Sequence, residues 1–408
     1  MPVRTTRTWR LFWAVLAGSF LLIASRRIDA LTRAQFYAED GIVWYAQAYT
    51  IGPWRALLLP RDGYLQTLPR MVAAFSLAFP LTRAPLVMNI AGLLVQALPA
   101  AFLLSARMKN WGPLPLRCAL AFIYIALPNA AELHASITEA QWHLALAACL
   151  LTLAQPPSAP SKRVFDFIIL LLCGLSGPFV IPLAAIAVFR AWRRRDAQRR
   201  IALGAVLVTC AALQAGCLLF SHSRAHEKLG ANLHSFLEML AAQIFAGALV
   251  GRNALHRRGD LVLVSVAAAG TLVLMYSFRK ASLEWRLFLT FCACIFAASL
   301  ANPTAGHTIS QWSTLSGVWD SRYWFFPMLA FVWSLIWCVF RGPALTFRII
   351  AAACLVLMLL YLPKNWRLPP APDVHFGDAA RRFERARRGE IVKLPVLPPG
   401  WTMELQKK

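Results

Sequence analysis

The strongest constraint on this chain is the recurrence of long apolar runs almost end to end, separated by short basic or Pro/Gly-rich breaks. The runs lie at roughly 11–25, 84–106, 114–128, 139–154, 164–174, 178–190, 201–220, 261–278, 287–301, 323–340 and 346–362. In a bilayer every backbone N–H and C=O must be satisfied within the chain, so runs of this kind are helices. With 59% hydrophobic and 15% charged residues, no stretch before residue 363 has the polarity of a separate soluble domain. The fold class expected is all-α: a polytopic transmembrane bundle of about 11 spans, interfacial helices in outer loops and a short extracytoplasmic tail. Residues 1–362 are expected to form the membrane domain and 363–408 the tail, with a short basic helix over Asp378–Arg388 and an extended strand over Ile391–Leu397 but too few residues for an independent core. Several runs fall below the ~20 residues that cross a bilayer, which suits helices buried in the bundle or ending at a cavity. Arg4, Arg7 and Arg10 precede the first run as in a signal peptide, but a multispan chain follows, so the run reads as an uncleaved anchor.

The net charge of +24 does not indicate nucleic acid. Its basic residues cluster at the ends of apolar runs, as at Arg190, Arg193–Arg195 and Arg199–Arg200, and no aromatic-interleaved basic face accompanies them. A cytoplasmic N-terminus collects the basic loops on one side, provided that 236–251 lies in the interface or re-enters instead of crossing. Lys364 and Arg367, close to the last run, count against that arrangement. Of the 18 Asp and Glu residues, only Asp166, Asp196 and Glu284 then fall at the cytoplasmic side, so chemistry is expected on the outer face. All nine cysteines sit in apolar runs, where thiols act as small hydrophobes, and no structural disulfide is expected.

The first outer segment, from about Arg26 to Arg83, carries FYAEDG (Phe36–Gly41). Glu39 and Asp40 sit there among many aromatic residues, just ahead of a short interfacial helix over Ile42–Tyr49. Asp40 is placed either to cap that helix or to act as a base. In the second outer loop, Glu132 and His134 are candidate acid–base or ligand groups, and Glu139, Trp142 and His143 share a helical face. Residues 221–235 hold Arg224 and His226, which suit a phosphate clamp as well as an ordinary solvated loop. Arg322, followed by Tyr323, stands at an outer helix mouth against the charge bias, which favours a phosphate contact over snorkelling. The paired short runs joined by Gly174–Pro178 read as a broken hairpin whose tip floors a cavity.

An acidic motif in the first outer loop, an interfacial helix after it, many spans and an outward C-terminus resemble the GT-C class of integral-membrane glycosyltransferases. The block FYAEDG…GYLQTLPR, with Tyr64 and Arg70, and the block Ser321–Trp324 look like those of uncharacterised bacterial members. The resemblance implies a polyprenyl-phosphate sugar donor in the bacterial inner membrane and transfer to an acceptor glycan, lipid or protein on the extracytoplasmic face. It also implies a first-loop acid as catalytic base, here Asp40 first and Glu39 second. The substrate-binding candidates are Arg322, Tyr323, Arg224, His226, Glu132, His134, Tyr64 and Arg70. No second acidic pair stands in a later outer loop, so a divalent metal has no clear ligand set in the sequence. An outward-facing polysaccharide polymerase or ligase, and a lipid or solute transporter, are the alternatives.

Overall fold

Two helices at the centre of the molecule have no open side. Every residue of Ala140–Leu153 is buried, and so is every residue from Phe325 to Cys338 of the helix Phe325–Arg341. The structure is a computed structural model describing residues 3–194, 197–221, 228–252, 255, 259–303, 310–316 and 321–408. Ala140, Ala145, Ala147 and Ala148 let the helices Ala84–Leu103, Pro160–Gly174 and Leu283–Ala301 pack closely around the first of these. The second is lined with aromatics, and Trp111, Trp285, Phe288 and Trp333 interlock beside it.

The periphery shows the opposite pattern. Among the described residues seven helices are long and apolar enough to cross a membrane: Leu81–Leu103, Ala202–Phe220, Leu233–Val250, Asp260–Lys280, Leu283–Ala301, Ser321–Arg341 and Leu345–Trp366. Only 11% of the apolar window of Leu345–Trp366 is buried, against 89% for Ser321–Arg341. Outward-facing Leu345, Ile349, Val356 and Leu360 therefore present a surface that suits lipid. Leu114–Ala126 and Ala140–Leu153 are apolar but shorter. The run at 236–251, expected to lie in the interface or re-enter, belongs to Leu233–Val250, which has the length and apolarity of a span; Asn129 and Asn365 donate to its Gln243 and Val250 carbonyls. Its middle is the π-helical stretch Met239–Ala246, which widens the turn without interrupting the helix.

At one end of the bundle, basic residues meet acids in forks. Arg107 donates to both oxygens of Asp166 at 2.6 and 2.7 Å. Arg194 grips Glu284 from two nitrogens, with Arg190 at 3.9 Å from the same carboxylate. At the other end, the buried guanidinium of Arg26 donates to the carbonyls of Ile125, Leu127, Asn365 and Trp366. It thus satisfies open carbonyls near the C-termini of two neighbouring helices.

The tail closes over that second end and adds a small hairpin to the all-α bundle. The last bundle helix runs to Trp366 with Pro363 inside it, beyond the boundary expected at 362. A helix Phe376–Arg385 follows, and then an antiparallel hairpin of Ile391–Val396 (β1) and Trp401–Gln406 (β2). Strand β1 was expected as an extended piece; its partner was not. The tail packs on the first outer segment. Leu397 and Phe36–Ala38 pair through backbone bonds of 2.9 and 2.5 Å, Phe376 meets Phe36 edge-on at 5.1 Å, and Phe383 meets Tyr49 at 5.7 Å.

Candidate active site

The segment carrying the acidic pair is bent before it becomes helical. Ala38 adopts a left-handed conformation (φ 43°), a strained choice for a residue with a Cβ. The chain then enters a π-helical stretch, Asp40–Tyr45, which continues as the helix Ala46–Ile51. Glycine is required at position 41, because a Cβ there would lie 2.9 Å from Phe36 Cβ and 3.1 Å from Val396 Cγ1 of the tail. Isolated π turns are rare and recur at functional sites.

Asp40 does not cap this helix. Its Oδ1 accepts from the Thr138 amide at 3.1 Å and from the Thr138 hydroxyl at 2.6 Å. The same hydroxyl accepts from Trp44 Nε1 at 2.7 Å. The other oxygen, Oδ2, is buried with no hydrogen-bond partner among the described residues. Burial pushes the carboxyl up to about 7; the Thr138 bonds act against that rise and the adjacent Glu39 adds to it. Glu39 is half-buried.

A second group of acids faces Asp40 from the loop before Ala140–Leu153. Arg322 donates from its guanidinium to Glu132 Oε1 at 2.5 Å and from its backbone to Glu132 Oε2 at 3.1 Å. The same guanidinium lies 3.7 Å from Glu139 Oε1. Glu139 is buried, and its Oε2 has no hydrogen-bond partner among the described residues. Burial raises the Glu139 pKa above the usual carboxylate range; Arg322 opposes this, while Glu132, Glu39 and Asp40 reinforce it. The four carboxylates and Arg322 thus form one electrostatic unit.

Tyrosines flank this unit. Tyr37 and Tyr64 are both held above the ordinary phenol range, chiefly by desolvation, with Glu139 contributing to each. Tyr323 lies under the Arg322 guanidinium at 5.0 Å and meets Trp142 edge-on at 6.1 Å. His134 is buried, its Nδ1 facing Gln96 Nε2 at 2.9 Å. Burial and the nearby Arg26 lower its pKa well below the usual value, so it is neutral. Because Nδ1 faces an amide donor, the proton of the ring resides on Nε2. Arg70 is set back from the carboxylates, stacked over Trp44 at 4.8 Å and bonded to Gln47 at 2.7 Å. Arg224 and His226, the expected phosphate clamp, lie outside the described residues.

The tip of the broken hairpin, expected to floor a cavity, packs against the segment that carries Arg70. Its helices are Pro160–Gly174 and Val180–Arg194, and its tip bonds to the backbone of Thr67 and Leu68 through Leu175 and Ser176. Gly177 at the tip (φ 139°) leaves room for Gln141, whose Oε1 lies 2.6 Å from where a Cβ would stand. Phe179 packs on Trp142 at 4.7 Å. Thr138 escaped the reading of the sequence entirely; the only hint was a hydroxyl directly before Glu139 at a helix entrance.

Two cavities lie outside this group, neither of them lined by Asp40, Glu132, Glu139 or Arg322. One, of about 640 Å³, opens laterally between Leu233–Val250, Asp260–Lys280, Leu283–Ala301 and the first turns of Phe325–Arg341. Ile244, Leu274, Phe278, Phe296 and Pro327 give it apolar walls. The other, of about 410 Å³, lies under the tail, where Tyr45, Tyr49, Phe383, Glu384 and Lys407 line it. Among the described residues no three His, Cys, Asp or Glu side chains are gathered as a metal ligand set. Glu132 in particular has both oxygens engaged by Arg322. No protein-family model, curated protein or solved structure matches this chain.

Proposed function

We propose that this protein is a membrane glycosyltransferase of the GT-C type, moving a sugar from a polyprenyl-phosphate donor to an acceptor hydroxyl. The observation that carries the reading is the state of Asp40: one oxygen fixed by Thr138, the other without a partner, and a pKa near neutrality. A carboxylate so placed suits a general base, whose pKa works best close to the operating pH. In this reading the acceptor O–H bond breaks as its proton passes to Asp40 Oδ2, and the acceptor oxygen bonds to the anomeric carbon. The bond from that carbon to the phosphate oxygen breaks, and its electron pair leaves with the polyprenyl phosphate.

Arg322 faces the departing phosphate, with Arg224 and His226 as further cations. Two carboxylates attend Arg322. The raised pKa of Glu139 leaves part of its population protonated near neutrality, so more of the arginine charge is directed at an anion. Tyr64, Tyr323, Glu132 and His134 hold the sugar and acceptor, and Arg70 braces Trp44. The lateral groove takes the isoprenoid chain. The bundle has about 11 spans, shorter helices included, with the N-terminus cytoplasmic and the site and tail on the extracytoplasmic face of a bacterial inner membrane.

A second reading has an observation of its own. Buried acids whose pKa values are raised by desolvation, as for Asp40 and Glu139, also suit a proton-coupled transporter. Purified protein in liposomes, given a panel of polyprenyl-phosphate sugars and candidate acceptors, separates the two. Glycosylated acceptor together with free polyprenyl phosphate supports the transferase. Uptake driven by a pH gradient, without product from any donor, supports the transporter and removes the first reading.

A further inference from the structure

The geometry points to Thr138 as a positioning residue that decides which oxygen of Asp40 takes the proton, with Trp44 setting the direction of its hydroxyl. The inference draws its meaning for the reaction from the transferase reading, but its structural basis is independent of that reading. A threonine hydroxyl has a single proton, whereas an indole N–H can only donate. Trp44 Nε1 lies 2.7 Å from Thr138 Oγ1 and must therefore donate to it. The one hydroxyl proton is left to point at Asp40 Oδ1, 2.6 Å away. The Thr138 amide adds a second donor to that same oxygen at 3.1 Å. With two donors converging on Oδ1, that oxygen carries the negative charge or serves as the carbonyl-like acceptor. An incoming proton is directed to Oδ2, which no described residue engages.

Trp44 is itself held in place. The Arg70 guanidinium stacks on its ring at 4.8 Å and is tied to Gln47 on the next helical turn at 2.7 Å. The chain Arg70, Trp44, Thr138, Asp40 thus links three segments of the first and second outer loops. The other acids coupled to Asp40 are Glu39 on its own segment and Glu139 on the segment carrying Thr138. Both raise the cost of ionising Asp40, and the Thr138 donors, with a smaller part from the Ile137 backbone, keep the carboxylate form accessible.

The test compares Thr138→Val, which is isosteric without the hydroxyl, with Thr138→Ser, which keeps it, and with Trp44→Phe. All are studied as the full chain in nanodiscs. The readout is the infrared band of the protonated carboxyl, assigned to Asp40 by its loss in Asp40→Asn and followed against pH. The pH limb of kcat/KM is recorded alongside. Thr138→Val is expected to raise the Asp40 midpoint by roughly one to two pH units, the equivalent of one hydrogen bond to a charged group. Thr138→Ser should stay close to wild type, and Trp44→Phe should give a smaller rise. An unchanged midpoint in Thr138→Val, or an equal shift in Thr138→Ser, overturns the inference. So does an Asp40→Asn spectrum from which no protonated band is lost, since the Glu139 band remains in both proteins. If no donor supports transfer, the reading of function fails, whereas the infrared comparison still decides the role of Thr138.

Discussion

Asp166 and Glu284 are as buried as Asp40 and Glu139, yet each is gripped by an arginine from two nitrogens. Asp40 and Glu139 each keep one oxygen with no hydrogen-bond partner among the described residues. The two sets lie apart along the helix Ala84–Leu103: Arg107 follows its C-terminus, whereas the loop of Thr138 and Glu139 runs beside Gly92 in its middle. A forked arginine offsets much of the cost of burying a carboxylate, and the pair then serves packing. Where pairing is incomplete, the cost remains as a raised pKa, which is how a protein prepares an acid or base. The difference separates acids that hold the bundle together from acids available for chemistry.

Substitutions at each end should therefore fail in different ways. The largest effect is expected from Asp40→Asn, which keeps the Thr138 contact and removes only the proton acceptor. Sugar transfer should drop by about 10²–10⁴-fold while the protein stays folded, as a donor-turnover assay beside a melting curve will show. At the opposite end, Arg107→Met strands the Asp166 carboxylate and should cost roughly 3–5 kcal/mol of stability. Thermal unfolding in nanodiscs measures this, and transfer per folded molecule should be unchanged. Equal loss of activity per folded molecule in both variants would erase the distinction between the ends.

The pH response sharpens the comparison. Transfer should rise as pH increases through about 7, where Asp40 loses its proton. Stability should run the other way. The folded pKa of Asp40 is above its unfolded value of about 4, so its contribution is complete below that value and is lost as pH rises toward 7. The melting temperature of wild type should accordingly fall more steeply across this window than that of Asp40→Asn. A smaller effect, of about 1–3 kcal/mol, is expected from Gly41→Ala, which presses on Phe36 and Val396 where the tail seats. Limited proteolysis of the tail will detect its loosening.

Much of the bundle was legible because its signals are local. Apolar runs of the right length mark the helices, and the observed bounds of Ala84–Leu103, Leu114–Ala126 and Ala140–Leu153 lie within a few residues of the runs. Asp40, Glu132 and Arg322 stood out as charges in the connecting loops, although capping remained open for Asp40 and snorkelling for Arg322. Their partners were not legible. Asp40 meets Thr138 across 98 residues and Arg322 meets Glu132 across 190, separations over which a single sequence carries no trace of contact. The tail hairpin was half seen: β1 has branched residues, but Pro395, Pro398 and Pro399 hid the turn that brings β2 back.

The decisive experiment is a sugar-transfer assay in liposomes, comparing wild type with Asp40→Asn, Glu39→Gln and Asp166→Asn on the best polyprenyl-phosphate donor. The expected result is loss of transfer by orders of magnitude in Asp40→Asn alone, with Glu39→Gln and folded Asp166→Asn retaining most of it. Equal transfer by wild type and Asp40→Asn would contradict the assignment of the base and return the acid pair to a structural role.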